Sequence, residues 1–97
     1  MNRIKQTFSK LKKNNEKAVG IFLTAGDPDF ESSLNLIKKL PENGVDFIEI
    51  GMPFSDPMAD GPTIQESSVR SLANGTEIND IFDLVMNIRK FNNEIPI

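Results

Sequence analysis

Residues 47 to 63 read FIEIGMPFSDPMADGPT, and this stretch decides the fold. It opens with strand-forming residues, Phe47 to Ile50, in an almost unbroken apolar run, which is typical of a strand buried on both faces. Glu49 interrupts the run, although a carboxylate is rarely buried unless it is paired or used. The run therefore predicts a strand that carries one acid of special interest.

The second half of the stretch predicts a loop followed by a helix. Gly51 and Pro53 end the strand, and the following residues up to Asp60 are rich in Pro, Asp and Ser. Pro62 can begin a helix, because its missing N–H would have no partner in the first turn anyway. Ligands and catalytic groups of parallel α/β folds gather just past the carboxyl ends of the strands. We therefore expect the acids Glu49, Asp56 and Asp60 at a functional edge.

Composition narrows the chemistry. The chain has 97 residues, enough for one small domain, and a net charge of −3, which gives no reason to expect nucleic acid or an acidic membrane as a partner. It contains neither Cys nor His, so acid–base chemistry falls to carboxylates or Lys. No apolar run approaches the roughly 20 residues needed to cross a bilayer, and no signal peptide is visible. These features predict a cytoplasmic protein without a membrane segment.

The other segments alternate helices and strands. A short amphipathic helix is predicted over residues 1–13, whose basic residues are better explained as a solvated face than as a binding patch. Ala18 to Thr24 is predicted as a strand, and Asp29 as the cap of a helix that Pro41 and Gly44 close. The predicted buried stripe of this helix is Phe30, Leu34, Ile37 and Leu40.

Two further helices and the beginning of a strand are predicted after the loop. One helix covers Pro62 to Ala73, with Thr63 and Glu66 at capping-box spacing. Another begins at Thr76, and 95–97 read as the start of a strand. The predicted buried side of the second helix consists of Ile78, Ile81, Phe82, Val85 and Ile88.

This order predicts an α/β fold with a parallel sheet. Two strands and the start of a third cannot close a barrel, so residues 1–97 are interpreted as a partial domain, truncated at the start of the third strand. The prediction is the N-terminal portion of a (β/α)8 TIM barrel with an extra N-terminal helix. An open doubly wound sheet is the alternative, although Thr24 to Asp29 lacks the G-x-G-x-x-G spacing of a phosphate turn.

The run from Ile48 to Gln65, together with Leu23 to Pro28 upstream, resembles the tryptophan synthase alpha chain family, and the resemblance extends over the whole sequence. It implies a (β/α)8 barrel and a lyase that cleaves indole-3-glycerol phosphate to indole and glyceraldehyde 3-phosphate. It also implies a complex (α2β2) with a beta chain that holds pyridoxal phosphate and receives the indole, while the alpha chain itself needs no cofactor or metal.

The resemblance places the family's two catalytic carboxylates at Glu49 and Asp60. Cleavage at indole C3 requires that carbon to be protonated while a side-chain hydroxyl loses a proton. A carboxyl group can do both, and Glu49, set in the apolar run of the strand, suits that role. An ionised Asp60 would stabilise the positive charge on the ring nitrogen. Alternatively, Glu49 is a satisfied buried acid and Asp60 is a helix cap.

Further roles follow from the resemblance. Phe22 corresponds to a residue that lines the indole pocket, although it could equally be a plain core aromatic. The loop that begins at Pro53 corresponds to the contact with the beta chain, with Asp56 as its polar contact. Asp27 could be a turn residue without chemistry.

Two other function classes stay open from the residues alone. Glu49, Asp56 and Asp60 are hard oxygen ligands, so a metal-dependent enzyme is one alternative. A non-catalytic binding piece that engages a partner through residues 53–60 is the other. The loops that hold phosphate come late in a barrel, so we expect the 97 residues alone to be inactive.

Overall fold

A computed structural model of the chain describes residues 2–55 and 61–97. Within these residues the elements follow the predicted alternation of helices and strands. In order they are α1 (Arg3–Lys13), β1 (Gly20–Thr24), α2 (Phe30–Lys39), a 3-10 helix (Pro41–Asn43), β2 (Phe47–Gly51), α3 (Pro62–Ala73) and α4 (Ile78–Phe91).

The two strands run parallel and side by side. Gly20 pairs with Phe47, and the register continues to Thr24 opposite Gly51. Side chains of a strand alternate between the two faces, and Ile48 points into the core with only 2% of its surface exposed. The core cluster on this face consists of Ala25, Leu34, Ile37, Ile48, Leu84, Ile88 and Ile95.

Helices α2 and α4 therefore cover one face of the sheet, since they supply most of that core. The expectation of a strand buried on both faces is not met in the described part of the chain. On the opposite face, Phe22 and Glu49 are exposed. We call this face, formed by Gly20, Phe22, Phe47 and Glu49, the open face.

Helix α1 lies at the end where β2 begins. Asn2 caps it by accepting a hydrogen bond from the Lys5 N–H at 2.8 Å. Leu11 is buried, and the Phe8 ring lies 6.0 Å from the Phe47 ring between centroids. Ile4 is exposed, so only part of the apolar side of this amphipathic helix is buried. The lysines of α1 are exposed, so the interpretation as a solvated basic face stays a prediction.

A side chain joins the residues that immediately precede β1 and β2. The Val19 N–H, just before β1, donates to Asp46 Oδ2, just before β2, at 2.8 Å. Backbone N–H groups ahead of a strand have no ladder partner of their own, so this bond satisfies one of them and holds the amino ends of β1 and β2 together.

Helix α2 begins and ends as predicted. Asp29 accepts from the Ser32 N–H at 2.8 Å. The α-helix stops at Lys39, and Pro41 begins the one-turn 3-10 helix. Gly44 then closes the segment with a φ of 89°, a left-handed conformation that favours glycine. Of the predicted stripe, Leu34 and Ile37 are buried, while Phe30 and Leu40 are half-buried against the core.

Helix α3 has the predicted bounds, but the predicted capping box is wrong. The N-cap residue is Gly61, with Pro62 in the first turn, so Thr63 lies too far inside the helix to cap it. Asn74 and Gly75 end α3 as predicted.

Helix α4 corrects two sequence predictions. It begins at Ile78 after the N-cap Glu77, not at Thr76, and the Glu77 N–H donates to Asp80 Oδ2 at 2.8 Å. Leu84 and Ile88 are buried, whereas Ile78 and Phe82 are 58% and 62% exposed. Apolar residues occur around much of the circumference of α4. Packing against α2 buries the side of the helix that carries Leu84.

The residues after α4 return to the sheet. The Ile48 N–H donates to the Pro96 carbonyl at 3.0 Å, and Ile95 is buried in the core. Arg89 Nη1 donates to the Ile95 carbonyl at 2.6 Å, and burial, with Arg3 nearby, lowers the pKa of Arg89. The segment is not a regular strand. The bond between the Ile48 N–H and the Pro96 carbonyl nevertheless places it beside β2, where the predicted third strand would lie.

Candidate active site on the open face of the sheet

Glu49 and Phe22 form the centre of the candidate site. They are register partners on β2 and β1, and neighbouring residues in register point to the same face of a parallel sheet. Both are exposed, Phe22 by 43%. The two sequence-predicted residues, 27 positions apart in the chain, are therefore brought together on the open face.

Two aromatic rings flank Glu49 along the sheet, each resting on a glycine of the other strand. A Cβ built at Gly51 would lie 2.4 Å from the Phe22 ring, so the ring covers Gly51 on the carboxyl side of Glu49. A Cβ built at Gly20 would lie 2.0 Å from the Phe47 ring, on the amino side. The carboxylate thus stands between two apolar walls.

Helix α3 is docked against the carboxyl end of β1 by hydroxyl groups. Thr24 Oγ1 and Ser67 Oγ lie 2.6 Å apart, and Ser71 Oγ donates to the Ala25 carbonyl at 2.6 Å. All four residues are buried. Because buried polar atoms are costly without partners, these bonds fix the position of α3 more strictly than apolar contact would.

The turn between β1 and α2 is held from the same helix. Arg70 forms a fork with Asp27, with Nε and Nη2 at 2.8 and 3.0 Å from its two carboxylate oxygens. This hydrogen bond raises the pKa of Arg70. Asn74 Nδ2 also donates to the Pro28 carbonyl. Asp27 thus anchors the turn, a structural role rather than one at the open face.

The other predicted site residues follow β2 in the chain. Pro53 is half-buried, and its neighbours Met52 and Phe54 are 56% and 60% exposed. Asp56 and Asp60 lie outside the described residues, so their predicted roles stay predictions. The apolar enclosure expected for Glu49 is limited, in the described part of the chain, to the two flanking rings.

Sequence reasoning missed the polar side of α3 and the steric role of Gly51. Ser67, Ser68 and Ser71 are all buried and share one side of the helix. Serines at spacings of three and four were visible in the sequence, but buried hydroxyls cannot be told from exposed ones without knowing what they face. A glycine at a strand end likewise indicates that another group approaches the backbone closely, but the sequence does not identify that group.

Neither a metal-ion site nor a membrane span is present within residues 2–55 and 61–97. No group of three or more His, Cys, Asp or Glu side chains that could hold a metal ion is present among them. No helix there is long and apolar enough to cross a membrane. The metal hypothesis involves Asp56 and Asp60, which lie outside these residues.

Several known proteins are similar to the chain in sequence and in structure. A sequence model described as tryptophan synthase alpha chain matches residues 8–97. The tryptophan synthase alpha chain of Caldanaerobacter subterraneus is 55% identical over 97 residues, the whole of this chain and 37% of that one. The crystal structure of tryptophan synthase subunit alpha from Legionella pneumophila has a TM-score of 0.96 and 44% identity, covering 99% of this chain and 37% of that chain.

A second similar structure is a tryptophan synthase from M. tuberculosis, in an open form with BRD0059 bound. It has a TM-score of 0.86 and 35% identity, and the match covers 92% of this chain and 36% of that chain. The chain therefore spans little more than a third of the length of the relatives it matches. These likenesses confirm the predicted fold class, a portion of a (β/α)8 barrel, and not an open doubly wound sheet.

Proposed function

The chain belongs to the tryptophan synthase alpha chain family, and we propose that the complete protein containing it cleaves indole-3-glycerol phosphate to indole and glyceraldehyde 3-phosphate. One observation carries the proposal beyond family membership. Glu49 and Phe22 are register partners on the open face, each the middle residue of its strand, so a carboxyl group and an aromatic ring lie side by side midway along the two strands. This combination suits proton transfer on a planar aromatic substrate.

Glu49 moves protons in the proposed reaction. As an acid it gives a proton to C3 of the indole, and the bond between C3 and the glycerol chain then breaks. As a base it takes the proton of the neighbouring hydroxyl, which becomes the aldehyde oxygen. One proton is given and one is taken, so the side chain ends in the state in which it began and can turn over.

Asp60 has the electrostatic role. Protonation at C3 places positive charge on the ring nitrogen, and an ionised carboxylate beside that N–H stabilises the charge as it develops. Gly61, the next residue in the chain, is the N-cap of α3, and helix N-termini favour negative charge nearby. Phe22 contributes an apolar wall for the indole ring.

The proposal includes the assembly. The complete protein binds a beta chain through the loop that starts at Pro53 and includes Asp56, forming an α2β2 complex. Pyridoxal phosphate belongs to the beta chain, and the alpha chain uses no cofactor or metal. The complex works in the cytoplasm. The exposed Met52 and Phe54 beside Pro53 supply apolar surface of the kind that such an interface buries.

The test is the kinetics of two variants of the complete protein, assayed with the beta chain present. Glu49→Gln keeps the shape of the side chain but removes the proton carrier, so kcat should fall to near the background rate with KM close to normal. Asp60→Asn should leave a residual rate, because losing one electrostatic stabiliser costs on the order of 10²–10³-fold.

A matched control is Glu42→Gln, which makes the same chemical change at an exposed residue of the 3-10 helix, away from the open face. It should retain normal kcat and KM. Substantial activity in Glu49→Gln together with a dead Asp60→Asn would reverse the two roles. Normal activity in both variants would refute the proposed site.

A further inference from the structure

Gly51 ends β2 directly beneath the ring of Phe22. A Cβ at this position would lie 2.4 Å from Phe22 Cζ, 2.8 Å from Cε2 and 3.4 Å from the Leu23 carbonyl oxygen. The first two distances are shorter than any normal carbon–carbon contact. The backbone of Gly51 is not in the left-handed region, so any residue could adopt its conformation. Space, and not backbone freedom, is what requires glycine here.

The ring that occupies this space is a wall of the Glu49 site. Phe22 is the register partner of Glu49, and its ring extends over the residue two positions further along β2. We infer that Gly51 is a positioning residue: it leaves room for the end of the Phe22 ring and so sets the width of the aromatic slot, the space around Glu49 between the rings of Phe22 and Phe47. The inference rests on the proposed function, since the slot would receive the indole ring.

The effect of a methyl group at position 51 on folding and on the Phe22 ring depends on which atoms lie within contact distance of it. The atoms closer than 3.0 Å all belong to the far end of the Phe22 side chain, which can rotate away, whereas the backbone contact at 3.4 Å is tolerable. The protein should therefore fold, with the ring pushed out into the open face. A displaced ring narrows the slot, so it should weaken binding of a planar substrate more than it slows the chemistry.

Gly20 offers an internal comparison. Its Cβ would meet the Phe47 ring at 2.0 Å, so Gly20→Ala forces a similar ring displacement on the same face. The ring that moves is on the amino side of Glu49 and is not Phe22. Gly20→Ala and Gly51→Ala thus impose the same kind of strain on different rings.

The experiment is a double-mutant cycle in the complete protein with its beta chain. Gly51→Ala should raise KM for indole-3-glycerol phosphate roughly tenfold and change kcat by less than about threefold, within the range of one misplaced methyl group in an apolar pocket. In a Phe22→Leu background the same substitution should change KM by less than about twofold, because the ring it displaces is gone. The effects of Gly20→Ala should be the same with and without Phe22.

Urea unfolding of the same variants supplies a measurement that does not depend on activity. Gly51→Ala should lower the unfolding midpoint, and Phe22→Leu should remove most of that loss. If Gly51→Ala has equal effects with and without the ring, Gly51 does not act through Phe22 and the inference is overturned. If the unmodified protein cleaves nothing, the proposed function fails, and the unfolding cycle alone decides whether Gly51 positions the ring.

Discussion

Replacing Ser71 by alanine tests how α3 is held against β1. The Ser71 hydroxyl has no solvent-exposed surface and donates to the Ala25 carbonyl at 2.6 Å, while Ala25 is 1% exposed. Ser71→Ala removes only the oxygen, so the cavity is small and the main effect is a buried carbonyl without this donor. Such a loss typically costs about 1–3 kcal/mol of the free energy of unfolding.

A smaller effect works in the opposite direction. Alanine is the better helix former, by roughly half a kcal/mol in a helix interior. The net expectation is a loss of about 1.5 kcal/mol, or a fall in Tm of about 3–6 °C for a protein of 150–250 residues. The assay is urea unfolding of the complete protein, in which the midpoint should fall while the slope stays constant.

The matched control is Ser32→Ala. Ser32 lies on the exposed side of α2, and its bond to Asp29 is made by its backbone N–H, which the substitution leaves in place. Its effect should stay within about 0.5 kcal/mol. If Ser71→Ala costs no more than Ser32→Ala, the buried hydroxyl does not stabilise the docking of α3, and the account of this interface is refuted.

Three further outcomes are expected. Asp46→Ala removes the acceptor of the Val19 N–H and should lower the unfolding free energy by about 1 kcal/mol, since water can partly replace it; urea unfolding beside Glu42→Ala checks this, and equal losses in the two variants would contradict it. The isolated segment 1–97 should show neither a sharp cooperative melt nor turnover, because apolar side chains such as Phe22, Phe82 and Met86 are exposed; a cooperative calorimetric transition of the monomer, or measurable cleavage, would count against this. Treatment of the complete protein with EDTA, then Mg²⁺, should leave the cleavage rate unchanged; a rate that falls and is restored would support the metal hypothesis instead.

The local elements were readable from the sequence because their signals are local. Asp29 caps α2, and Pro62 and Ala73 bound α3 where proline and Asn-Gly chemistry predicts. The family resemblance likewise pointed to Glu49 and Phe22 before their proximity was known. Short-range sterics and backbone hydrogen bonding determine the ends of α2 and α3, and the residues that decide them are neighbours in the chain.

Other features depended on contacts between distant residues. The apolar residues of α4 allow more than one buried side, and packing against α2 chose Leu84 over Phe82. Only the register of β1 and β2 shows that Phe22 stands beside Glu49 and over Gly51.

The serines of α3 best separate what the sequence determines from what tertiary contacts decide. Their helical spacing is visible in the sequence, but a hydroxyl is stable either in water or against a buried partner. Composition alone does not predict which of these two environments a given serine has. The choice is made when the carboxyl end of β1 presents the Thr24 hydroxyl and the Ala25 carbonyl to Ser67 and Ser71. Sequence by itself thus determined the helix, and tertiary structure decided which of its sides is buried, because burial of a polar group is favourable only where its partner is already in place.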